Sequence, residues 1–349
     1  LQLGELEVYC CTADQAPAVM QEIARLRELA FRQAGEGTGL AQDRDGFDAY
    51  YQQLFVWQRN TRQILGAYRL GFSQTILRDH GLPGLYSRSL FDYGTALFDH
   101  VGPSLELGRS FVHPDYQGSS RALRLLWAGI VAMLDRHPEV QTLFGPVSIS
   151  PSYSELGRAL LLKAIHHHHM DPDLSALVRP RNPSQLQSRI LPPRYTSVLA
   201  GLADPTALSR YLHGLGLGLP MLIKHYLELQ GRFAAFNVDA AFNNTLDGLV
   251  FVQVRHIPAK LQAIAFLGGS HALGCFTRFV AVVHRTINHL PVQASQISRC
   301  LVIDAHCRTL NLNPLLPALH RKLEVLGAAD RSLVAPSDLQ LDVPADLEG

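Results

Sequence analysis

Apolar residues repeat along the first two hundred and sixty or so positions with a spacing that alternates between two and about 3.6 residues. Leu6–Cys11 reads as a short strand. Over Pro17–Arg32, Val19, Ile23, Leu26 and Ala30 fall on one helical face, and Gly35 is the expected stop. A Gly-rich, acidic loop runs from Gly35 to Phe47. Leu54–Trp57 and Ile64–Leu70 read as a hairpin turning at Asn60. Residues 73–103 mix loops and short helices. Leu105–Val112 is the next strand, followed by a helix from about Arg121 to Asp135 with Leu123, Leu126, Trp127, Ile130 and Leu134 inward. Val140–Phe144 reads as a buried strand, with Gly145-Pro146 breaking it. Ser152 and Glu155 form a capping box for a helix reaching about Ile165. From His166 to Tyr195 the chain is polar, basic and proline-punctuated, and is expected to be a mobile surface excursion. A helix at Leu219–Leu229 and strands at Arg232–Val238 and Gly248–Val254 follow.

Beyond about Gly268 the texture changes. Helices over Leu273–Leu290 and Leu315–Leu326, a strand at Leu301–Asp304 and a disordered acidic terminus are expected there. The alternation of helices and strands predicts an α/β layer fold. No internal repeat is visible.

Composition narrows the function. The 349 residues are 47% hydrophobic and 17% charged, enough apolar material for a sizeable core. No uninterrupted run approaches the ~20 apolar residues that span a bilayer. The net charge of +1 gives no support to nucleic-acid binding. The first residues lack a basic head followed by an apolar core, so a cytoplasmic location is expected. Cys10 and Cys11 are adjacent while Cys275, Cys300 and Cys307 are scattered, a spacing that fits neither a metal site nor a disulfide framework.

The stretch from Leu105 to Gly118 carries the densest chemistry. Glu106 and Arg109 lie in an apolar run, and both need partners if buried. A regular strand would point them to opposite faces, but a bulge at Gly108 would turn both toward one cleft. Two readings stand: an ion pair tying the sheet to a helix, or a carboxylate that receives an amine as a base. The catalytic reading requires that position 106 reach an open cavity. Asp43, Asp45 and Asp48 crowd one loop, either as solvated turn chemistry or as a site for an ammonium group. Calcium-loop spacing fails there, and no metal is expected. Gln117-Gly118-Ser119-Ser120 lies between strand and helix, where free N–H groups can hold a phosphate. There is no G-x-S-x-G elbow and no Cys near the strand, so direct attack by an acceptor amine is expected. His166–His169, with Lys163, Arg179, Arg181, Arg189 and Arg194, form a basic surface. It suits an acidic carrier protein or anionic lipid heads, or is a solvated loop.

The string ELGRSFVHPDYQGSSRALRLLWAGI followed by LFGPVSIS resembles the GNAT-type acyltransferases that make lyso-ornithine and related aminolipids, members of which are often labelled hemolysins. Supporting strings are RLRELAFRQAGEGTG, DRDGFDAYYQQLFVWQ, ILGAYRLG, the histidine run and LPMLIKHYLELQGRFAAFNVDAAFNNTLDGLVFV. A more distant similarity is to acyl-homoserine-lactone synthases, whose acidic loop, strand Arg and Glu-x-x-Arg strand fall on Asp45, Asp48, Arg69, Glu106 and Arg109.

The resemblance implies a GNAT-like mixed sheet flanked by helices over residues 1–266, with 267–349 as a C-terminal extension of unknown role. It implies no permanently bound cofactor. The acyl donor would be an acyl carrier protein, its phosphopantetheine thioester commonly bearing a 3-hydroxyacyl chain, or acyl-CoA. The acceptor would be the α-amine of an amino acid such as ornithine or glycine, giving a lyso-aminolipid. Glu106 would serve the amine, and Arg109 or Arg69 a carboxylate or a structural ion pair. Phe111 and the N–H groups near Val112 would meet the thioester carbonyl. Tyr116, Gln117, Gly118, Ser119 and Ser120 would hold the phosphate. The 163–194 basic region would bring the enzyme to the inner-membrane surface as a peripheral protein. Ser119 and Ser120 depart from the glycine-rich phosphate loop, no O-acyltransferase domain of the kind joined to some members is expected, and residues from about 268 match no family pattern. Two alternatives remain open: an acetyl-CoA N-acetyltransferase, and a membrane-associated hemolysin-like or catalytically inactive binding protein.

Overall fold

The computed structural model describes residues 2–117, 120–188 and 191–257. The elements expected beyond Gly268 lie outside the described residues. Ten strands are present among them: β1 (Gln2–Leu3), β2 (Leu6–Cys11), β3 (Gln52–Gln58), β4 (Gln63–Phe72), β5 (Phe91–Tyr93), β6 (Ser104–Val112), β7 (Thr142–Ile149), β8 (Val178–Pro180), β9 (Arg232–Asp239) and β10 (Thr245–Gln253). Eight of them make one sheet in the order β1-β2-β3-β4-β6-β7-β10-β9, and β5 pairs with β8. All pairings in the large sheet are antiparallel except β6 with β7.

Helices cover both faces of this sheet. They are α1 (Pro17–Gln33), α2 (Ser73–His80), α3 (Leu97–Val101), α4 (Ser120–Arg136), α5 (Glu155–His168), α6 (Pro172–Leu177), α7 (Pro193–Thr196), α8 (Pro205–Gly214) and α9 (Met221–Glu228). On one face Leu105 and Leu107 of β6, Leu143 and Val147 of β7 and Leu246 and Val250 of β10 pack with Leu126, Trp127 and Ile130 of α4 and with Ile223 and Tyr226 of α9. On the other, Ile23, Leu26 and Phe31 of α1 pack with Phe55, Ala67, Phe111 and Phe242. Beside them Phe144, Leu249 and Phe251 meet Leu85, Tyr86, Leu97 and Leu174. The period-two alternation of the strands thus feeds two apolar layers. Among the described residues no helix is long and apolar enough to cross a membrane.

The helix boundaries follow local chemistry. Pro17 opens α1, where its missing N–H is not needed. Gly35, in the left-handed region at φ +79°, ends it by donating from its N–H to Arg32 O at 3.0 Å. For α5 the cap is Ser154, whose hydroxyl accepts from Gly157 N, rather than the expected Ser152. Ser152 instead bonds Ser150 and the Ala34 carbonyl, tying this turn to the end of α1.

Two expectations are corrected. Gly145-Pro146 does not break β7, which runs from Thr142 to Ile149. It ends the pairing of β7 with β6, which stops at Glu106↔Phe144, while pairing with β10 continues through Leu249↔Pro146. A proline is tolerated where the strand has no neighbour to receive its N–H. A Cβ at Gly145 would stand 1.9 Å from the Leu107 carbonyl oxygen, so the two backbones touch just where they begin to part. The second correction concerns 166–195. His166–His168 form the last turn of α5, and Asp171 caps α6 with Leu174 and Val178 buried. Met170 and Pro183 bridge to β9 at Phe233 and Asn237, so this segment is folded against the sheet edge as far as Ser184.

Candidate active site

Where β6 and β7 part, a cleft of about 400 Å³ opens. Its walls come from both faces of the sheet. One wall is apolar: Leu107, Leu123, Leu126, Val147, Leu222 and Tyr226, from β6, β7, α4 and α9. The other carries Glu36, Tyr86, Arg109, Ser148 and Asp247 beside Phe31 and Phe242. The divergence of one parallel pair therefore gives a slot with an oily side and a charged side.

Arg109 owes its position to a bulge. On β4 the partners step from Arg69↔Gly108 to Ala67↔Phe111, so Arg109 and Ser110 together oppose Tyr68. Arg109 takes up the extra residue at φ +47°, a strained conformation for a side-chain-bearing residue. The bulge lies one residue past Gly108, where it was expected, and it brings Arg109 to the same face as Glu106.

Arg109 joins a buried lattice of opposite charges. Arg27 of α1 grips both oxygens of Asp48, at 3.0 and 2.7 Å, and its Nε donates to the Asp43 carbonyl at 3.0 Å. Arg69 Nη1 donates to Asp45 at 2.6 Å and to Asp48 at 3.2 Å. Arg109 Nε lies 3.1 Å from Asp43 Oδ2, a charge contact without hydrogen-bond alignment, and its Nη1 donates to Tyr86 Oη at 2.7 Å. Among the described residues Arg69 Nε and Nη2 have no hydrogen-bond acceptor, but its guanidinium lies over the rings of Tyr86, Tyr51 and Phe47 at 4.6, 5.3 and 5.6 Å. Burial alone would raise the Asp48 carboxyl; hydrogen bonds from Arg27 and the charges of Arg27 and Arg69 hold it down to about 2. The acidic loop is thus a structural clasp. Its backbone is fixed by a capping box between Asp45 and Asp48.

Glu106 does not meet the requirement of an open cavity. It is 1% exposed and is absent from the cleft lining. One carboxylate oxygen accepts from Tyr51 Oη and from Tyr86 N at 3.2 Å, and the other from Ser87 N at 2.7 Å. Strand alternation turns it under the Tyr86–Ser87 turn, which closes over it. Burial raises its pKa, opposed by hydrogen bonds from Ser87 and Tyr51. Tyr86 links it to Arg109, one residue holding both halves of the Glu-x-x-Arg pair.

Phe111, Val112 and Gln117 line the cleft. Tyr116 Oη donates to Gln63 at 3.1 Å. Gly118 and Ser119 lie outside the described residues, and α4 begins at Ser120. In the basic region Arg181 pairs with Asp92 at 3.1 Å and Arg179 is exposed. His168 Nε2 lies 2.6 Å from Leu199 O, and burial pushes His169 down to about 4.

The sequence reading missed Glu36 and Asp247. Glu36 accepts from Ser148 Oγ at 3.1 Å, and Asp247 faces Ser148 across the β10–β7 ladder. Asp247 is only 6% exposed, and no described residue donates a hydrogen bond to its carboxylate. Burial raises Glu36 to about 7, opposed by Ser148 and Arg109. Burial, then the charges of Asp239 and Glu36, raise Asp247 well above the carboxylate range. One signal was available: an aspartate inside the strand LDGLVFV has no reason to be there unless something meets it.

Residues 26–128 match the acetyltransferase (GNAT) domain family, and the protein is an acyltransferase. It is 32% identical over 300 residues to the glycine N(alpha)-acyltransferase of Phocaeicola vulgatus, covering 76% of this chain and 90% of that protein. It is 29% identical over 251 residues to the L-ornithine N(alpha)-acyltransferase of Agrobacterium fabrum, covering 70% and 78%. The crystal structure of the acyl-homoserine-lactone (AHL) synthase LasI is similar at 14% identity with a TM-score of 0.29, over 48% of this chain and 83% of that one. The chain belongs to the GNAT N(alpha)-acyltransferase family of these relatives.

Proposed function

We propose that this enzyme transfers a fatty acyl group from the phosphopantetheine thioester of an acyl carrier protein to the α-amine of glycine or ornithine, giving a lyso-aminolipid. The observation that carries this reading is the two-faced cleft. Its apolar wall, built by α4 and α9, suits an acyl chain. Its charged wall suits an amino acid, with Arg109 facing the carboxylate. The names of the relatives support glycine or ornithine as acceptor.

The thioester carbonyl lies at the bulge, near Ser110–Val112, where backbone N–H groups polarise it. The phosphate is held where Gln117 meets the start of α4. The amine attacks directly. Glu106 acts as a positioning residue: through Tyr51 and the Tyr86–Ser87 turn it sets the ring that Arg109 leans on. Asp43 and Asp45 meet the same arginine from the other side, and Arg69 and Asp48 brace Asp45. Exposed Arg179 contributes to a basic approach surface for an acidic carrier or for anionic lipid heads at the inner membrane.

Purified protein incubated with 3-hydroxyacyl carrier protein, the matching acyl-CoA or acetyl-CoA, each with a panel of amino acids, tests the proposal by mass spectrometry. An amide with glycine or ornithine from the carrier-bound long chain is expected. Amide from acetyl-CoA alone, or no amide from folded protein, overturns it.

A further inference from the structure

The acceptor amino acid enters as an ammonium ion at neutral pH, and its nitrogen attacks only after a proton has left. Glu106 is sealed from the cleft, so the proton needs another destination. Among the described residues the carboxyl groups that line the cleft are Glu36 and Asp247, and the phenols are Tyr68, Tyr86 and Tyr226, each raised by burial above the range in which it could take a proton near neutral pH. Tyr86 already accepts from Arg109 and is pushed above the ordinary phenol range by burial, so it is a poor base.

Glu36 and Asp247 reach the cleft from opposite ends of the chain. Glu36 follows the end of α1, on a turn stapled by its backbone N–H to Phe31 O at 2.8 Å. Asp247 sits inside β10, with its neighbours Leu246, Leu249 and Val250 in the apolar layers. Ser148 stands between them on β7, donating to Glu36 and facing Asp247. An aspartate more than nine-tenths buried, pointing into an open slot with no donor from the described residues, is a group built for something that enters the slot.

We infer that Glu36 and Asp247 form one proton-accepting pair that binds the acceptor ammonium and takes its first proton. This rests on the reading of the cleft as an amine acylation site. The pair loses one proton's worth of negative charge as the amine becomes neutral. The nitrogen lone pair then forms the C–N bond, the C–S bond breaks, and its electrons leave on the thiolate. The second proton of the nitrogen passes to that thiolate, giving a free thiol and the amide. The pair returns its proton to water before the next turnover.

The groups facing the pair set its charge balance. Arg109 on β6 is the cation, Asp239 at the end of β9 adds a further carboxylate, and Tyr86 and Ser148 are neutral. Asp43 and Asp45 lie behind Arg109 and draw its charge away from the slot. Glu36 at about 7 is thus poised between its two forms at working pH.

The double substitution Glu36→Gln with Asp247→Asn keeps both shapes and removes both proton acceptors. It is expected to lower kcat at least ~100-fold with either acceptor, and to abolish the rise of wild-type kcat/KM with pH near 7. A double variant within about threefold of wild type, or one whose only change is a raised KM, overturns the inference. A second reading needs no turnover. Infrared difference spectra of the full chain are expected to show a protonated carboxyl band that disappears as pH rises through about 7 and is missing from the double variant. Identical bands in both proteins overturn the pair even if the amide assay fails for every substrate, so its failure stays separate from failure of the proposed reaction.

Discussion

Two groups of buried carboxylates share this molecule and have opposite fates. In the acidic loop, Asp43, Asp45 and Asp48 meet Arg27, Arg69 and Arg109, and Asp48 is held down to about 2. In the cleft, Glu36 has one hydrogen bond, from Ser148, and the cation acting on both Glu36 and Asp247 is an arginine already engaged by the loop; both are pushed up. Burial is similar in the two places. What differs is the number of cations and hydrogen-bond donors within reach, and that decides which carboxylates are clasp and which are left to act.

The comparison breaks first on the loop. Asp48→Ala leaves Arg27 and Arg69 buried without their shared partner and is expected to cost about 3–5 kcal/mol, read from urea unfolding. A loss below about 1 kcal/mol would show that the lattice is solvated and not a clasp. Next is Glu106→Gln. Its carboxylate accepts three hydrogen bonds in the sealed turn, so about 1.5–3 kcal/mol of stability should go with it. Turnover should fall through displacement of Tyr86 and Arg109, but the rise of kcat/KM near pH 7 should survive. Disappearance of that rise would return Glu106 to the role of base.

Acid sharpens the same contrast. Asp48 has a folded pKa near 2 against an ordinary 3.8, so its contribution is present above about pH 4 and lost as pH falls through 2. The loss is about 2 kcal/mol between those limits. Unfolding midpoints measured from pH 5 to pH 2 should drop accordingly in wild type and stay flatter in Asp48→Asn. The smallest effect concerns the apolar wall. Met221, 62% exposed at the start of α9, lines the mouth of the cleft. Met221→Trp should shift preference toward shorter acyl chains by about tenfold in kcat/KM, the scale of one or two methylenes. Equal rates across chain lengths would move the acyl chain away from α9.

Much of the architecture was legible in the chain. The period-3.6 stripe of α1, its stop at Gly35, the β3–β4 hairpin and the long amphipathic α4 are local consequences of side-chain spacing and caps, and each appears within a few residues of its expected bounds. The Glu-x-x-Arg strand and acidic loop were also visible as a charged constellation. Gly145-Pro146 was visible as an interruption, but whether it ends a strand or only one side of its pairing depends on whether β6 or β10 is the neighbour lost. The capping serine, too, was decided by geometry: Ser152 is drawn to the end of α1, leaving Ser154 to meet Gly157.

Sequence by itself determined which segments coil, which extend and which faces are apolar, because those properties are set by neighbours within a few residues. Tertiary structure alone decided that Glu106 is shut beneath Tyr86 while Glu36 and Asp247, from distant segments, look into one slot. A carboxylate's chemistry is fixed by the charges and donors a few ångströms away, and those arrive only when the sheet assembles.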